Sequence, residues 1–261
     1  MPSSVQLRVC VLASGSSGNC IYVESPATAL LIDAGISARE TLRRLAAAGL
    51  DPAKLRAICV SHEHVDHVAG IVQLHKQLGV ALYANGDTAR GIRGGDQLPW
   101  NLFADGSPFV VGDVEILPFP LPHDAYAPVG FVLRCGSARL GIATDLGMPT
   151  QLARERLRGC QTLVLEANHD ETLVQNSFRP WSLKQRILGR QGHLSNETAA
   201  ALLAEIAGDT LRQVFLAHLS RECNQLELAL HVVRTRLAAA GLGHVRVLPT
   251  HPDKPSEFAE W

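Results

Sequence analysis

The sequence predicts an α/β fold, a four-layer αββα sandwich with two sheets face to face and helices over both outer faces. Three observations predict it. Each half of the chain opens with several strand-like runs, and each half then alternates strands with helices. A dense run of imidazoles and carboxylates also sits at the end of a strand rather than along a helix face. No low-complexity linker separates the halves, so one domain over residues 1–261 is expected.

In order, apolar runs at 6–13, 20–24 and 29–33 read as strands, and 38–48 reads as a helix. Leu55-Arg-Ala-Ile-Cys-Val60 supplies a strand at 57–60. The polar cluster follows, then a helix at 68–78 and a strand at 81–84. Glycines and a proline make 91–107 the best loop, of a length that often carries function. The second half gives strands at 109–117, 130–135 and 139–144, a helix at 150–158 and a strand at 162–166. Helices at 181–190 and 195–207 follow, the latter with Ser195 or Asn196 as N-cap. A strand at 213–217, a helix at 225–240 and a strand at 244–248 close the set.

With 24 basic against 25 acidic residues, no global positive field argues for a polyanionic partner, although bound cations would add local charge. Six scattered cysteines without a C-x-x-C pair read as buried thiols in a reducing compartment. No stretch matches a signal core or a membrane span, and nothing calls for an obligate protein partner. A cytoplasmic protein is expected.

Residues 62–67, His-Glu-His-Val-Asp-His, place three histidines and an aspartate within six positions. On an extended segment His62 and His64 point to one face. Asp66 and His67 follow where the chain turns helical, aimed at a neighbouring point. Imidazole and carboxylate suit zinc, manganese or iron rather than calcium or magnesium. Three further residues end strand-like runs: His123, Asp145 and His218. Each alone is equally well a satisfied polar residue. Together with the cluster they could hold two divalent ions. An aspartate bridges ions about 3.5–4 Å apart, and a water between them becomes a hydroxide nucleophile.

This His-x-His-x-Asp-His run, with Leu30-Leu-Ile-Asp-Ala-Gly35 before it, resembles the metallo-β-lactamase superfamily over nearly the whole chain. Leu12-Ala-Ser-Gly-Ser-Ser-Gly-Asn-Cys20, Leu165-Glu-Ala-Asn-His-Asp170, Gly192-His-Leu-Ser-Asn196 and Ala217-His-Leu-Ser220 look like its YycJ/WalJ branch. That branch is similar to tRNase Z and is associated with 5′-to-3′ DNA exonuclease activity. The resemblance implies that His62, His64 and His123 hold one ion and that Asp66, His67 and His218 hold the other, with Asp145 bridging. It implies that Asp33 orients a ligand histidine and that His193 contacts phosphate or protonates the leaving oxygen. Catalysis is then expected to hinge on Asp66 and His193, with nucleic acid, DNA foremost, as substrate. A thioester hydrolase of the glyoxalase II type or a small-molecule phosphodiesterase is the alternative with the same ligands.

Other positions stay open at this level. Ser14, Ser16, Ser17 and Asn19 lie in a loop that either cradles phosphate through backbone N–H groups or simply turns the chain. Glu166 and Asn168 line the cleft or brace His193, with bracing preferred. His169 stands where the branch has an aromatic. Arg179, Arg186, Arg190 and Arg221 form either a solvated surface or a track for a polyanion.

Overall fold

The computed structural model describes residues 6–261. The first half runs β1 (Arg8–Ala13), β2 (Cys20–Glu24), β3 (Ala29–Ile32), α1 (Ala38–Ala47), β4 (Leu55–Cys59), α2 (Val65–Val68), α3 (Ile71–Leu78), β5 (Ala81–Ala84), α4 (Gly86–Gly91) and β6 (Trp100–Leu102). The second runs β7 (Phe109–Val111), β8 (Val114–Pro120), β9 (Val129–Cys135), β10 (Ala138–Ala143), α5 (Gln151–Leu157), β11 (Thr162–Glu166), α6 (Glu171–Asn176), α7 (Trp181–Leu188), α8 (Asn196–Ile206), β12 (Gln213–Ala217), α9 (Leu226–Ala239), β13 (Arg246–Pro249) and β14 (Ala259–Glu260).

Two seven-stranded sheets result, ordered β14-β1-β2-β3-β4-β5-β6 and β13-β12-β11-β10-β9-β8-β7. Each is mixed in the same sense. Antiparallel meanders β1-β2-β3 and β7-β8-β9-β10 lead into parallel runs β3-β4-β5-β6 and β10-β11-β12-β13. Parallel neighbours need a crossover, which is why helices appear only in the later part of each half.

Side-chain alternation sorts the layers. In β1, Val9 and Val11 enter the core between the sheets, while Cys10 and Leu12 join the layer under α1 and α3. In β11, Val164 faces the inter-sheet core with Phe131 and Phe215, while Leu163 and Leu165 meet α5, α8 and α9. These strands are apolar on both faces because both faces are covered. The expected αββα sandwich is the observed architecture. Among the described residues, no helix is long and apolar enough to cross a membrane.

Four local readings need correction. The strand expected at 109–117 is a hairpin, because Gly112 takes φ 59° and turns Val111 against Val114. The helix expected at 68–78 starts at Val65 and breaks at Ala69–Gly70. A Cβ on Gly70 would lie 2.2 Å from Ile36 O, so the break lets backbones meet. The expected loop 91–107 contains the edge strand β6, and α4 ends where that loop was to begin. Asp170 caps an additional short helix, α6, through Leu173 N–H.

Candidate active site

The predicted residues gather where strands of both sheets end. Asp33 follows β3, His62 and His64 follow β4, and Asp66 and His67 lie on α2. From the other sheet, His123 follows β8, Asp145 follows β10, Glu166 ends β11 and His218 follows β12. Ligand sites at the carboxyl ends of strands are the rule for parallel sheets. Asp33, Asp145 and His218 take φ of 60°, 57° and 56°, the only non-glycine residues with positive φ among those described. A left-handed turn at three strand ends swings three functional side chains inward, at a conformational cost the fold has to offset.

His62, His64 and His123 each offer one nitrogen within 4.8 Å of the others, as do Asp66, His67 and His218 with one ligand atom each. Asp145 lies between the two sets, with Oδ2 3.1 Å from His67 Nε2 and Oδ1 3.6 Å from His123 Nε2. Asp66 Oδ2 is 3.5 Å from His218 Nε2 and 3.8 Å from His67 Nε2.

Hydrogen bonds at the far side of each ring fix its tautomer. Ser61 N–H and Oγ–H donate to the two oxygens of Asp33, each at 2.8 Å, so His62 Nδ1–H donates to Ser61 Oγ at 3.0 Å. His67 Nδ1–H donates to Asp33 Oδ2 at 2.8 Å and His123 Nδ1–H to Gly192 O at 3.0 Å. Both His193 Nδ1–H, at 2.8 Å, and His218 Nδ1–H, at 2.9 Å, donate to Glu166 Oε1. The Nε2 atoms of His62, His123 and His218 are thereby left without a partner, whereas His67 Nε2 receives the Asn19 side-chain amide at 3.0 Å. Ser61 was not singled out in the sequence, although its place directly before the histidines was the available signal.

A test of fit to metal follows from what is unpaired. His62 Nε2, His123 Nε2, His218 Nε2 and Asp145 Oδ2 are buried and have no hydrogen-bond partner. Buried polar atoms are almost always paired, so four converging orphans mark a place for an electrophile. The cluster fits divalent metal ions. Glu166 stands among these groups too. Its oxygens are already taken by the two imidazoles and by the N–H groups of Leu146 and Leu194, so it orients rings.

Burial most strongly lowers the pKa of His62, with repulsion from His67 adding to it; burial lowers His123 as well. At His67 burial acts in the same direction, but Asp145 and Asp33 outweigh it and the pKa rises well above the ordinary value. Burial is likewise outweighed at His193, chiefly by Glu166, so its pKa rises. Glu166 is fully buried, yet the His193 and His218 imidazoles hold its carboxyl at about 2.

Other expectations divide. Asn168 braces His218, donating to its carbonyl at 2.7 Å, rather than bracing His193. Ser14 and Asn19 are buried and cannot reach a substrate. Ser14 Oγ accepts from His218 N–H at 2.7 Å; Asn19 accepts from Gly15 N–H, and its backbone N–H donates to Asp66 O. Ser16 lines the cavity, whereas exposed Ser17 accepts from Arg221 at 2.9 Å. His169 is buried with an unpaired Nδ1 and lies off the cavity. The cavity above the cluster, about 220 Å³, is also lined by Arg179 and Arg186, and not by Arg190 or Arg221.

Fold, strand-end ligands and metal-competent cluster define the class, and residues 28–219 match the model of the β-lactamase superfamily domain: the chain belongs to that superfamily. Within it, the chain is 34% identical over 267 residues to the exodeoxyribonuclease WalJ of Streptococcus pneumoniae serotype 2 (strain D39 / NCTC 7466), covering 99% of each. It is 33% identical over 256 residues to the exodeoxyribonuclease YycJ of Bacillus anthracis, covering 95% of this chain and 96% of that one. Among solved structures, the metallo-β-lactamase fold protein YhfI of Bacillus subtilis superimposes with a TM-score of 0.73 at 16% identity, over 99% and 100% of the two chains, a likeness of fold.

Proposed function

We propose that this chain is a metal-dependent exodeoxyribonuclease that removes nucleotides in the 5′-to-3′ direction. The carrying observation is the set of four buried unpaired ligand atoms directly beneath a cavity whose walls bear Arg179 and Arg186. Full-length similarity to two exodeoxyribonucleases supports DNA as the substrate.

On this reading His62, His64 and His123 hold one ion, Asp66, His67 and His218 a second, and Asp145 serves both; zinc, manganese and iron all suit such donors. Bound there, the ions supply a nucleophile at neutral pH and neutralise charge on the phosphoryl oxygens. The chain's own groups do the rest. Asp33 and Glu166 keep the imidazoles oriented, and Arg179 and Arg186 attract the phosphates. His193, held through Nδ1 by Glu166, presents Nε2 to the cavity and passes its proton to the departing sugar oxygen as the P–O bond breaks. Six unpaired cysteines, five of them buried, fit a single-domain protein working in a reducing cytoplasm.

The test is a substrate panel with manganese or zinc: a labelled 5′-phosphorylated single strand, S-lactoylglutathione and a chromogenic phosphodiester. Stepwise shortening of the strand from its 5′ end is expected. Thioester turnover with an intact strand overturns the reading in favour of a glyoxalase-type hydrolase.

A further inference from the structure

Asp124 directly follows His123, yet it belongs to none of the converging ligand groups among the described residues. Its two oxygens have different surroundings. Oδ2 accepts from Arg186 Nε, and Arg186 lines the cavity. Oδ1 is buried, has no hydrogen-bond partner and lies 3.3 Å from His123 Nε2. A carboxylate serving only as a counter-ion at the rim would leave its second oxygen in water.

His123 Nδ1–H donates to Gly192 O, so its Nε2 carries a lone pair and no proton. Two acceptors 3.3 Å apart repel each other unless a cation or a donor lies against both. Burial raises the pKa of Asp124, but the hydrogen bond from Arg186 foremost outweighs it, and the carboxyl falls below its ordinary value.

The backbone on both sides of this contact is held. Tyr126 N–H donates to Glu63 Oε1 at 2.9 Å and Val129 N–H to Ser61 O at 3.1 Å. The segment after Asp124 is thereby stitched to the one that bears His62 and His64. Arg186 stands near the end of α7, and a Cβ on Gly192 would lie 2.2 Å from Arg186 O. The stretch that supplies the acceptor for His123 therefore runs hard against that helix. The Asp124 bond uses Nε, which leaves both Nη groups of Arg186 outside it and able to donate to a phosphate.

We propose that Asp124 is a positioning residue that ties Arg186 to the ion of the His62, His64 and His123 set, so that ion and guanidinium address the same phosphate. Because Asp124 stands outside the three converging nitrogens, its Oδ1 reaches that ion across one water. The proposal rests on the metal-dependent reading above and names the residue that sets phosphate grip at that site.

Zinc affinity is measured by competition with a chromogenic chelator, with no substrate present. Asp124→Asn, nearly isosteric, should weaken zinc binding roughly 10–100-fold, the usual effect of losing an outer carboxylate, with the stoichiometry at saturation unchanged. Arg186→Gln should leave zinc affinity within about twofold of the parent. The zinc-loaded protein, freed of excess zinc, is then titrated with inorganic phosphate by calorimetry. Arg186→Gln should weaken phosphate binding roughly tenfold, as expected for one charge-assisted hydrogen bond, and Asp124→Asn by a comparable factor. The double variant should lose no more than the weaker-binding single variant, because Asp124 acts through Arg186.

Unchanged zinc affinity in Asp124→Asn, with or without a lower urea midpoint, reduces the residue to a rim ion pair and overturns the proposal. A zinc stoichiometry lowered by one makes Asp124 a ligand itself and overturns it too. Tighter phosphate binding in Asp124→Asn would mean that the carboxylate merely competes for the guanidinium, the opposite of the role assigned. A loaded parent that binds no phosphate is equally fatal. Absence of strand cleavage by the parent overturns the nuclease reading instead, and both titrations still decide the role of Asp124.

Discussion

Glu166 Oε1 lies 2.8 Å from His193 Nδ1, a contact made by a carboxylate with no exposure to solvent. The same oxygen receives His218 Nδ1–H, so one buried group orients the proposed proton donor and a proposed ligand together. Glu166→Gln keeps the shape but turns one acceptor into a donor facing other donors. Loss of an orienting carboxylate of this kind costs roughly 10–100-fold in activity or metal affinity. The expectation is a fall of that size in kcat/KM with an unchanged circular dichroism spectrum.

Asp66 and His193 should respond differently to truncation. Asp66 offers Oδ2 to His67 and His218 at the centre, whereas His193 hangs from Glu166 at the cavity wall. Asp66→Ala should abolish turnover and lower bound metal. His193→Ala should lower turnover by roughly 10²–10⁴-fold, the usual contribution of a proton donor, with metal content nearly unchanged. Elemental analysis beside kinetics separates them; loss of one ion in His193→Ala would assign that ring to the metal.

The candidate metal cluster was legible in the sequence because its residue types are rare at such density and sit at strand ends. The sandwich was legible because strand and helix periods differ. What stayed hidden was set by tertiary contact. Ser14 and Asn19 looked available in a glycine-rich loop, but His218 N–H and the Asp66 backbone claim them. The helix break at Gly70 reflects the approach of Ile36 O, a residue far away in sequence. The β7–β8 hairpin was missed although Gly112-Asp113 between two valines was a two-residue turn signal.

Gly35 marks the tightest approach in the site. A Cβ there would stand 1.6 Å from Asp66 O and 2.7 Å from Asn19 N, both backbone atoms that cannot rotate away. Gly35→Ala must therefore displace α2, and Asp66 and His67 with it. A stability loss of about 1–3 kcal/mol is expected, with weakened metal binding, read by urea unfolding and zinc titration. Gly208→Ala, where nothing lies within 4 Å and the backbone is not left-handed, is the steric control.

Asp33 combines two roles that substitution can part. Its carboxylate holds Ser61 and His67, and its backbone sits at φ 60°. Asp33→Ala and Asp33→Gly lose the same carboxylate, but only alanine retains the left-handed strain of an L side chain. Metal affinity should fall in both. The glycine variant should be more stable by about 1 kcal/mol, visible as a higher urea midpoint. A glycine variant less stable than alanine would mean that the left-handed turn carries no cost here.

Removing metal should cost stability as well as turnover. Without an ion, four buried ligand atoms lack partners, and Asp66 and Asp145 both lie against His67 Nε2. A ligand that binds only the folded chain adds about 2.7 kcal/mol at a hundredfold excess over Kd. For a chain of this size, at roughly 2–4 °C per kcal/mol, that is a rise in Tm of about 5–10 °C. Calorimetry after EDTA treatment, then with zinc or manganese restored, reads it directly. His62→Ala should blunt the rise, because it removes one of the unpaired nitrogens. His75→Ala should leave it whole, since that ring only meets Val80 O, on a helix away from the cluster. A Tm indifferent to EDTA and to added metal would show that the unpaired atoms do not hold a cation.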